Sequence, residues 1–417
     1  MSTLNRYEEI VGKNTVDELR MLSGYLEGKV IQHINSTAMG GGVAEILQRI
    51  VPLMQELGVN AQWDVIKGNK EFFEVTKAMH NALHGKKVNI TSRMWEIFDE
   101  VSRENIRDMN LYGDIMFIHD PQPAALIRRK NKMKGSKWIW RCHVDVSLPD
   151  KKVWSFLEGF ANRYDAAVFS SPHFAHRMKT RQALISPSID PFSDKNRELS
   201  QKEIDTVLAK YKIDPQAKPI VCQISRYDAL KDPVGVIKAY KLAKKYVDCQ
   251  LLLVGNRAAD DPETDKVYKQ VLEAAGGDPD IHALLVEDIP YEINAFQRVS
   301  KVLVQKSIRE GFALTVSEAL WKAKPVVASA VGGIPLQITH KYSGLLCHSI
   351  EGAAFYIKQL LNAPEYAAKL GANGREHIRQ NFLLTRHLRE HMLLFLSLYH
   401  KGDVITFGPP ARAKDRA

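Results

Sequence analysis

The sequence predicts an α/β protein built from two Rossmann-like, doubly wound parallel-sheet domains. Three observations predict this. The chain has 417 residues, and at roughly 100–200 residues per domain two domains are the default. Short apolar runs alternate with longer amphipathic ones, the pattern of repeated βα units. The alternation halts near "ISPSIDPFSDKNRELS" (185–200), where Pro, Ser and Asp accumulate, and then restarts. The expected domains are therefore 1–190 and 200–384, with a cleft between them.

In the first half, "KVIQHIN" (29–35) reads as a strand and "VAEILQRIVPLMQELG" (43–58) as the helix that follows. "GDIMFIHD" (113–120), "KWIWRCHVDV" (137–146) and "DAAVFSS" (165–171) are further buried strands, and the basic run "IRRKNKMKGSKW" (127–138) reads as a solvated loop. In the second half, "KPIVCQIS" (218–225) leads into the helix "DPVGVIKAYKLAKKY". "CQLLLVGN" (249–256), "DIHALLVEDI" (280–289), "KVLVQKS" (301–307) and "PVVASAVGG" (325–333) are its remaining strands. The sequence after Ala363 is helical to about His400, and the tail "GPPARAKDRA" lacks the apolar residues to pack.

Composition narrows the class. Apolar content of 45% and charged content of 25% are ordinary for a soluble globular chain. The start "MSTLNRYEEI" carries no signal-peptide pattern, and no run of about 18 apolar residues predicts a membrane span. Four cysteines, Cys142, Cys222, Cys249 and Cys347, form no CxxC pair, which fits reduced thiols in the cytoplasm. The net charge of +10 fits either a basic surface or an anionic ligand. Lysines and arginines are spread along the chain without a helix-turn-helix, zinc-finger or RNP pattern, so nucleic acid is not an expected partner.

Ligands of such sheets sit beyond the carboxyl ends of the strands, and the candidate residues fall there. "SIREGFALTVSEALWKAKP" (307–325) holds Glu310 and Glu318 with seven residues between them. On a helix that spacing covers about 12 Å, too far for two carboxylates sharing one glycosidic bond at about 5–9.5 Å. The pair suits either two ends of one long ligand, or a helix-start acid and a surface residue on a helix from Thr315 to Trp321. The N–H groups of Gly311, Phe312, Ala313 and Leu314 would form a helix N-terminus, which attracts phosphate. Arg226 and Lys231, in "ISRYDALKDP" (224–233), are either solvated or placed to hold a leaving diphosphate. Gly40, Gly41 and Gly42 form either a plain turn or a backbone cradle for an anion. Gly332 and Gly333 follow a strand in a tight turn. His143 and Asp145, two apart in "WRCHVDVS" (140–147), share one face of a strand end. His143 is either a satisfied structural histidine or a donor to a sugar hydroxyl. Asp120, before Pro121, is either an acceptor-binding carboxylate or a turn residue. The one DxD string, "DPD" (278–280), reads as a loop, and no metal site is expected.

The stretch "REGFALTVSEALWKAKPVVAS" resembles the E-x7-E region of retaining glycosyltransferases of family 4, which have the GT-B fold. Gly311, Phe312, Ala319 and Pro325 also fall where that pattern expects them. The resemblance implies that Glu310 contacts the donor sugar and Glu318 the nucleotide ribose. It implies that Arg226 and Lys231 hold the diphosphate without a metal, and that His143 reaches the 6-hydroxyl of the donor hexose. It places Gly40–Gly42 by the donor phosphates and acceptor, and Gly332–Gly333 by the nucleotide. It also implies that the last helices, about 385–417, pack back on the first domain. "MGGGVAEIL", "HDPQPAAL" and "WRCHVDVS" add a closer similarity to the trehalose-forming subgroup of that family. That subgroup joins glucose from a UDP-, ADP- or GDP-glucose to free glucose, reversibly. The expectations are thus a cytoplasmic enzyme with no tightly bound cofactor, small sugar substrates and a homodimeric assembly. The alternatives are a trehalose phosphorylase, another α-glycosyltransferase of the family, or a protein that only binds nucleotides or nucleic acid.

Overall fold

The computed structural model describes residues 3–39, 41–256, 262–287 and 289–400. They divide into two compact units. One combines the chain up to Ser188 with the segment from Leu384, and the other is Ile189–Leu383.

In the first unit the strands are β1 (Val30–Asn35), β2 (Asn60–Val65), β3 (Ile115–His119), β4 (Lys137–Cys142), β5 (Ala166–Phe169) and β6 (Arg181–Leu184). They form one parallel sheet in the order β2-β1-β3-β4-β5-β6. The helices are α1 (Thr3–Val11), α2 (Lys13–Gly24), α3 (Gly41–Glu56), α4 (Lys70–Leu83), α5 (Ser92–Asp108) and α6 (Lys151–Ala161). Every residue of β3 and β5 is buried, as expected for parallel strands covered on both faces. The chain runs from β1 outward to β2 and returns on the other side as β3. The loops after β1 and β3 therefore diverge at a switch point, where open α/β sheets bind ligands.

The second unit holds β7 (Ile220–Ile224), β8 (Gln250–Asn256), β9 (Ile281–Val286), β10 (Val302–Gln305), β11 (Val326–Ser329) and β12 (Leu345–Cys347). Its parallel order is β12-β11-β10-β7-β8-β9, with the switch point between β7 and β10. Its helices are α7 (Gln201–Tyr211), α8 (Pro233–Lys244), α9 (Pro262–Ala275), α10 (Pro290–Val299), α11 (Leu314–Trp321), α12 (Ile334–Gln337), α13 (Ile350–Asn362) and α14 (Pro364–Asn381).

The last helix, α15 (Leu384–Tyr399), belongs to the first unit. Its Arg386 donates to the carbonyls of Ser186 and Pro187, both at 2.9 Å, and Arg389 pairs with Glu18 at 2.8 Å. Phe395 packs edge-on against Phe117 with centroids 5.6 Å apart.

Two sequence expectations change. β4 stops at Cys142, so His143 and Asp145 lie in the following loop and do not share a strand face. The basic run is not a solvated loop. Residues Ala124–Lys132 form a 3₁₀ helix whose Lys130 pairs with Asp165 at 2.9 Å and whose Arg128 pairs with Asp99. The tail after His400 lies outside the described residues.

Helix α14 packs so closely on the end of α11 that a Cβ at Gly371 would stand 2.0 Å from the Ala323 carbonyl oxygen. Helix propensity alone favours Gly→Ala by about 1 kcal/mol. Overpacking against backbone costs about 1–3 kcal/mol or more. The contact should win, and Gly371→Ala should lower the denaturation midpoint. A raised midpoint would show that α14 is free to move off α11.

Candidate functional site

The switch point of the second unit brings together an ammonium and a carboxylate. Lys231 lies in the short 3₁₀ turn after β7, and Glu310 lies in the loop after β10. Lys231 Nζ donates to both carboxylate oxygens of Glu310, at 2.7 and 2.6 Å. Several bonds hold each partner. The Ile308 N–H donates to the Leu230 carbonyl at 2.8 Å, tying the two loops together, and Gln223 donates to the Lys231 carbonyl at 2.8 Å. Thr315 donates to Gln305 at 3.2 Å, Gln305 to the Ser307 hydroxyl at 2.9 Å, and that hydroxyl to Glu310 Oε2 at 3.1 Å. Arg226 stands at the mouth of the same loop, its side chain 52% exposed, with one nitrogen 3.4 Å from Asp228.

Gly332 and Gly333 shape this loop from behind. A Cβ at Gly332 would lie 1.6 Å from the Glu310 carbonyl oxygen, and φ is +56°. A Cβ at Gly333 would lie 2.8 Å from the Gly311 oxygen and 2.8 Å from the Phe312 ring. The Gly333 N–H donates to the Gly311 carbonyl at 3.1 Å, and buried Gln337 donates to the Phe312 carbonyl. These two glycines are needed because the backbone of residues 310–312 passes directly against them.

Helix α11 starts at Leu314, one residue earlier than expected, with Ala313 at its N-cap. Ala313 has φ of 68° and supplies no side-chain cap. For an L-residue with a Cβ this left-handed conformation costs roughly 1–2 kcal/mol. Glu318 is not a surface residue. It is 2% exposed, its Oε2 accepts from Gln297 at 3.2 Å, and Lys322 donates to its backbone carbonyl at 3.1 Å. Burial pulls the Lys322 ammonium down to about 7, although the Glu318 carboxylate favours its charged form.

The first unit presents a different cluster beyond β1, β3 and β4. Asp120 follows β3 with φ of 71°. Its N–H donates to the Arg141 carbonyl at 2.7 Å, its carbonyl accepts from Trp140 Nε1 at 3.0 Å, and its Oδ1 accepts from the His143 N–H at 2.8 Å. Burial raises its carboxyl from 3.8 to about 6. Asp120 thus anchors the residue after β4. His143 Nε2 lies 3.1 Å from His119 Nδ1, and Arg141 Nε lies 3.5 Å from His143 Nδ1. Asp145 is buried and closes a turn, its Oδ1 accepting from the N–H and hydroxyl of Ser147 at 2.9 and 2.6 Å. Of the glycine loop, Gly41 and Gly42 open helix α3, and Gly40 lies outside the described residues.

Sequence reasoning missed Gln223, Gln305, Ser307 and Gln337, because a buried glutamine on a parallel strand or short helix has no spacing signature. It also missed Arg141 and His119, which read as ordinary strand residues. Among the described residues no group of three or more His, Cys, Asp or Glu is placed to hold a metal ion. Asp278 and Asp280 of the DxD string instead pair with Lys244, at 2.9 and 2.7 Å.

Two outcomes follow from this geometry. Lys231 is 18% exposed and Glu310 8%, whereas Arg226 is half exposed. Removing one member of a buried pair costs about 3–5 kcal/mol; a surface pair costs about 0–1 kcal/mol. Lys231→Ala should therefore lower the stability of the second unit markedly in chemical denaturation, and Arg226→Ala by about 1 kcal/mol at most. Equal losses would contradict the assigned burial. For Asp120, a folded value of about 6 against 3.8 means that the folded state binds the proton more tightly between those values. Stability falls as pH rises through this window, and the penalty is complete above it. Asp120→Asn keeps the acceptor for His143, so it should stabilise the protein on the order of 1–3 kcal/mol at pH 7.5 and little near pH 4. A gain independent of pH would rule out the buried carboxyl as its source.

Comparison with known proteins places both halves. Residues 33–176 match the family described as "Trehalose synthase, N-terminal domain", and residues 207–377 match "Glycosyl transferases group 1". The chain is 42% identical over 402 residues to the trehalose synthase of Pyrococcus horikoshii, across 95% of this chain and 96% of that protein. It is 30% identical over 402 residues to the trehalose phosphorylase of Grifola frondosa, across 84% of this chain but 54% of that protein. Among solved structures it is similar to one described as "Trehalose-6-phosphate from E. coli bound with UDP-2-fluoro glucose". There the TM-score is 0.73 at 14% identity, over 90% of this chain and 99% of that one. That likeness shows the fold, which is GT-B. Two parallel Rossmann-like units, family matches in both, and 42% identity along nearly the whole length lead to one conclusion: the chain belongs to the trehalose synthase family of glycosyltransferases.

Proposed function

We propose that this enzyme transfers glucose from a nucleoside-diphosphate glucose to free glucose, with retention, forming α,α-trehalose reversibly. The observation that carries the reading is the buried, two-pronged Lys231–Glu310 pair at the switch point of the second unit. An ammonium has three N–H donors. Two are spent on Glu310, which leaves one for a phosphate oxygen while the carboxylate stays fixed beside the sugar. Arg226, more exposed, adds a planar fork for the same diphosphate. The N-terminus of α11 has no side-chain cap, so its first N–H groups are available to an anion.

In this scheme the bond between C1 of glucose and the diphosphate oxygen breaks, and Arg226 and Lys231 stabilise the charge that develops on the leaving group. The glucose hydroxyl attacks C1 from the same face, and its proton passes to the departing phosphate oxygen. Glu318 takes the ribose diol. At 2% exposure it does so only once its surroundings, Gln297 included, yield to the nucleotide. In the first unit His143 meets the donor hexose and Asp120 the acceptor glucose. Asp145, whose Oδ1 closes its turn, keeps Oδ2 for the acceptor glucose. The four cysteines are buried free thiols, which supports a reducing cytoplasmic setting. No described helix is long and apolar enough to cross a membrane.

The test is one incubation of the purified enzyme with UDP-, ADP- and GDP-glucose and free glucose, the product identified by NMR. The expected product is non-reducing α,α-trehalose, formed equally well in EDTA because two cations serve the diphosphate. Glu318→Ala should weaken nucleotide affinity about ten- to a hundredfold, the value of a hydrogen bond to a charged group. A reducing product, a preference for glucose 6-phosphate, or cleavage of trehalose by inorganic phosphate in place of nucleotide would overturn the proposal.

A further inference from the structure

Five histidines surround one buried arginine in the first unit, and the proposed reaction uses only His143. His33 comes from β1, His119 from β3, and His387 and His391 from α15, all fully buried around Arg141 of β4. His33 Nδ1 lies 3.1 Å from His119 Nε2, and His119 Nδ1 lies 3.1 Å from His143 Nε2. The rings are stacked, with centroids 5.4 Å apart in both steps. Arg141 closes the row at 3.5 Å from His143 Nδ1, and it also reaches His391 Nε2 at 3.2 Å and the Ile185 carbonyl at 3.0 Å.

A guanidinium can only donate. The nitrogen of His143 that faces Arg141 is therefore an acceptor, and the ring's proton sits on Nε2. That N–H donates to His119 Nδ1. His119 then carries its own proton on Nε2 and donates it to His33 Nδ1. Each ring forces the tautomer of the next, and a second proton on any of them would set N–H against N–H. We infer that His119 and His33 are positioning residues: with Arg141 they hold His143 as a neutral imidazole of one tautomer and fix the plane of its ring, the Nε2–H resting on His119 Nδ1 until a sugar hydroxyl shares it. This rests on the reading of His143 as a contact of the donor hexose.

The charged and titratable groups around His143 agree with a neutral ring. They are Asp120 and His119 after and on β3, Arg141 and Cys142 on β4, Asp145 in the next loop, His33 on β1, and Arg386, His387, Glu390 and His391 on α15. Burial first, and Arg141 second, hold His143 well below its ordinary value; His119, His387 and His391 are lowered by burial and by their neighbours, and His33 falls to about 3.

The test uses the full chain labelled with ¹⁵N-histidine and long-range ¹H–¹⁵N correlation, with each ring assigned by its own substitution. His33, His119 and His143 should all show the neutral Nε2–H tautomer, unchanged from pH 8 to pH 5. His119→Leu removes the acceptor. In that variant Arg141 still makes Nδ1 the acceptor, so His143 should keep its tautomer while its Nε2–H signal shifts on losing its partner, and kcat/KM for transfer should fall about tenfold, the change set by one hydrogen bond. Affinity for the nucleoside diphosphate alone should not change. His119→Asn, whose amide oxygen can stand in for Nδ1, should recover most of the loss. An Nδ1–H or doubly protonated His143 in the unsubstituted enzyme would overturn the inference, whether or not the variants fold. So would a folded His119→Leu enzyme with an unchanged His143 Nε2–H signal and unchanged kcat/KM. An enzyme that shows the expected tautomers but makes no trehalose would instead overturn the functional reading and leave the ordered row standing.

Discussion

The Lys231–Glu310 pair is the constraint on which the second unit's site is arranged. An ammonium and a carboxylate buried together are costly to desolvate unless the geometry is good and the remaining donors and acceptors are met. Here both carboxylate oxygens accept a hydrogen bond from Lys231, and a third hydrogen bond arrives from Ser307. The partners sit at the ends of β7 and β10, adjacent in the sheet and about eighty residues apart in the chain. Pairing them therefore requires the parallel order of this sheet. It also requires the glycine turn at 332–333, because any side chain at Gly332 would occupy the space of the Glu310 carbonyl. One pair of charges thus links strand order, a turn conformation and the position of the carboxylate assigned to the sugar.

The first unit handles charge differently. Arg141 is buried, yet it donates to two imidazoles and a backbone carbonyl rather than to a carboxylate. Burial, together with Arg386, pulls its guanidinium down to about 9. One neighbouring acid, Asp120, is held by backbone and indole contacts and is itself pushed toward neutrality by burial. Asp120 is also one of the few residues with a Cβ in the left-handed region. Such strain persists only where surrounding bonds over-determine it, and three hydrogen bonds do so here, donated by Trp140 and His143 to Asp120 and by Asp120 to the Arg141 carbonyl.

Much of this architecture was legible in the sequence because buried parallel strands are continuous apolar runs. "DIMFIH", "AAVF" and "IVCQI" stand out for that reason. Strands β2, β6 and β12 did not. "NAQWDV" and "RQAL" lie at sheet edges and are half polar, and "LLC" is only three residues long. The Glu310 and Glu318 motif was readable from residue types at fixed spacing within one loop and helix. Spacing could not report that Glu318 is buried, since that depends on α10 supplying Gln297. Nor could it report where β4 ends. The chain leaves the sheet after Cys142 because Asp120, from the neighbouring strand's end, captures the His143 N–H that would have continued the ladder. The histidine row was invisible for a related reason. Its members lie at positions 33, 119, 143, 387 and 391, and only the sheet order and the return of α15 bring them together.

The contrast between the units follows from the chemistry each is assigned. Breaking a sugar–diphosphate bond develops negative charge on the leaving group, and a site that stabilises it needs fixed cations oriented in advance. Under the proposed function the second unit supplies Lys231, locked by a carboxylate so that it cannot wander when the ligand is absent, and the more exposed Arg226. Sugar hydroxyls are neutral and form hydrogen bonds that depend on direction more than on charge. Under the proposed function a neutral ring with its proton on a known nitrogen supplies such a directed bond. A carboxylate next to Arg141 would have satisfied the arginine more simply, but it would have left His143 Nδ1 without a donor and its tautomer undetermined. Imidazoles in that position let one buried cation impose direction on a row of uncharged groups.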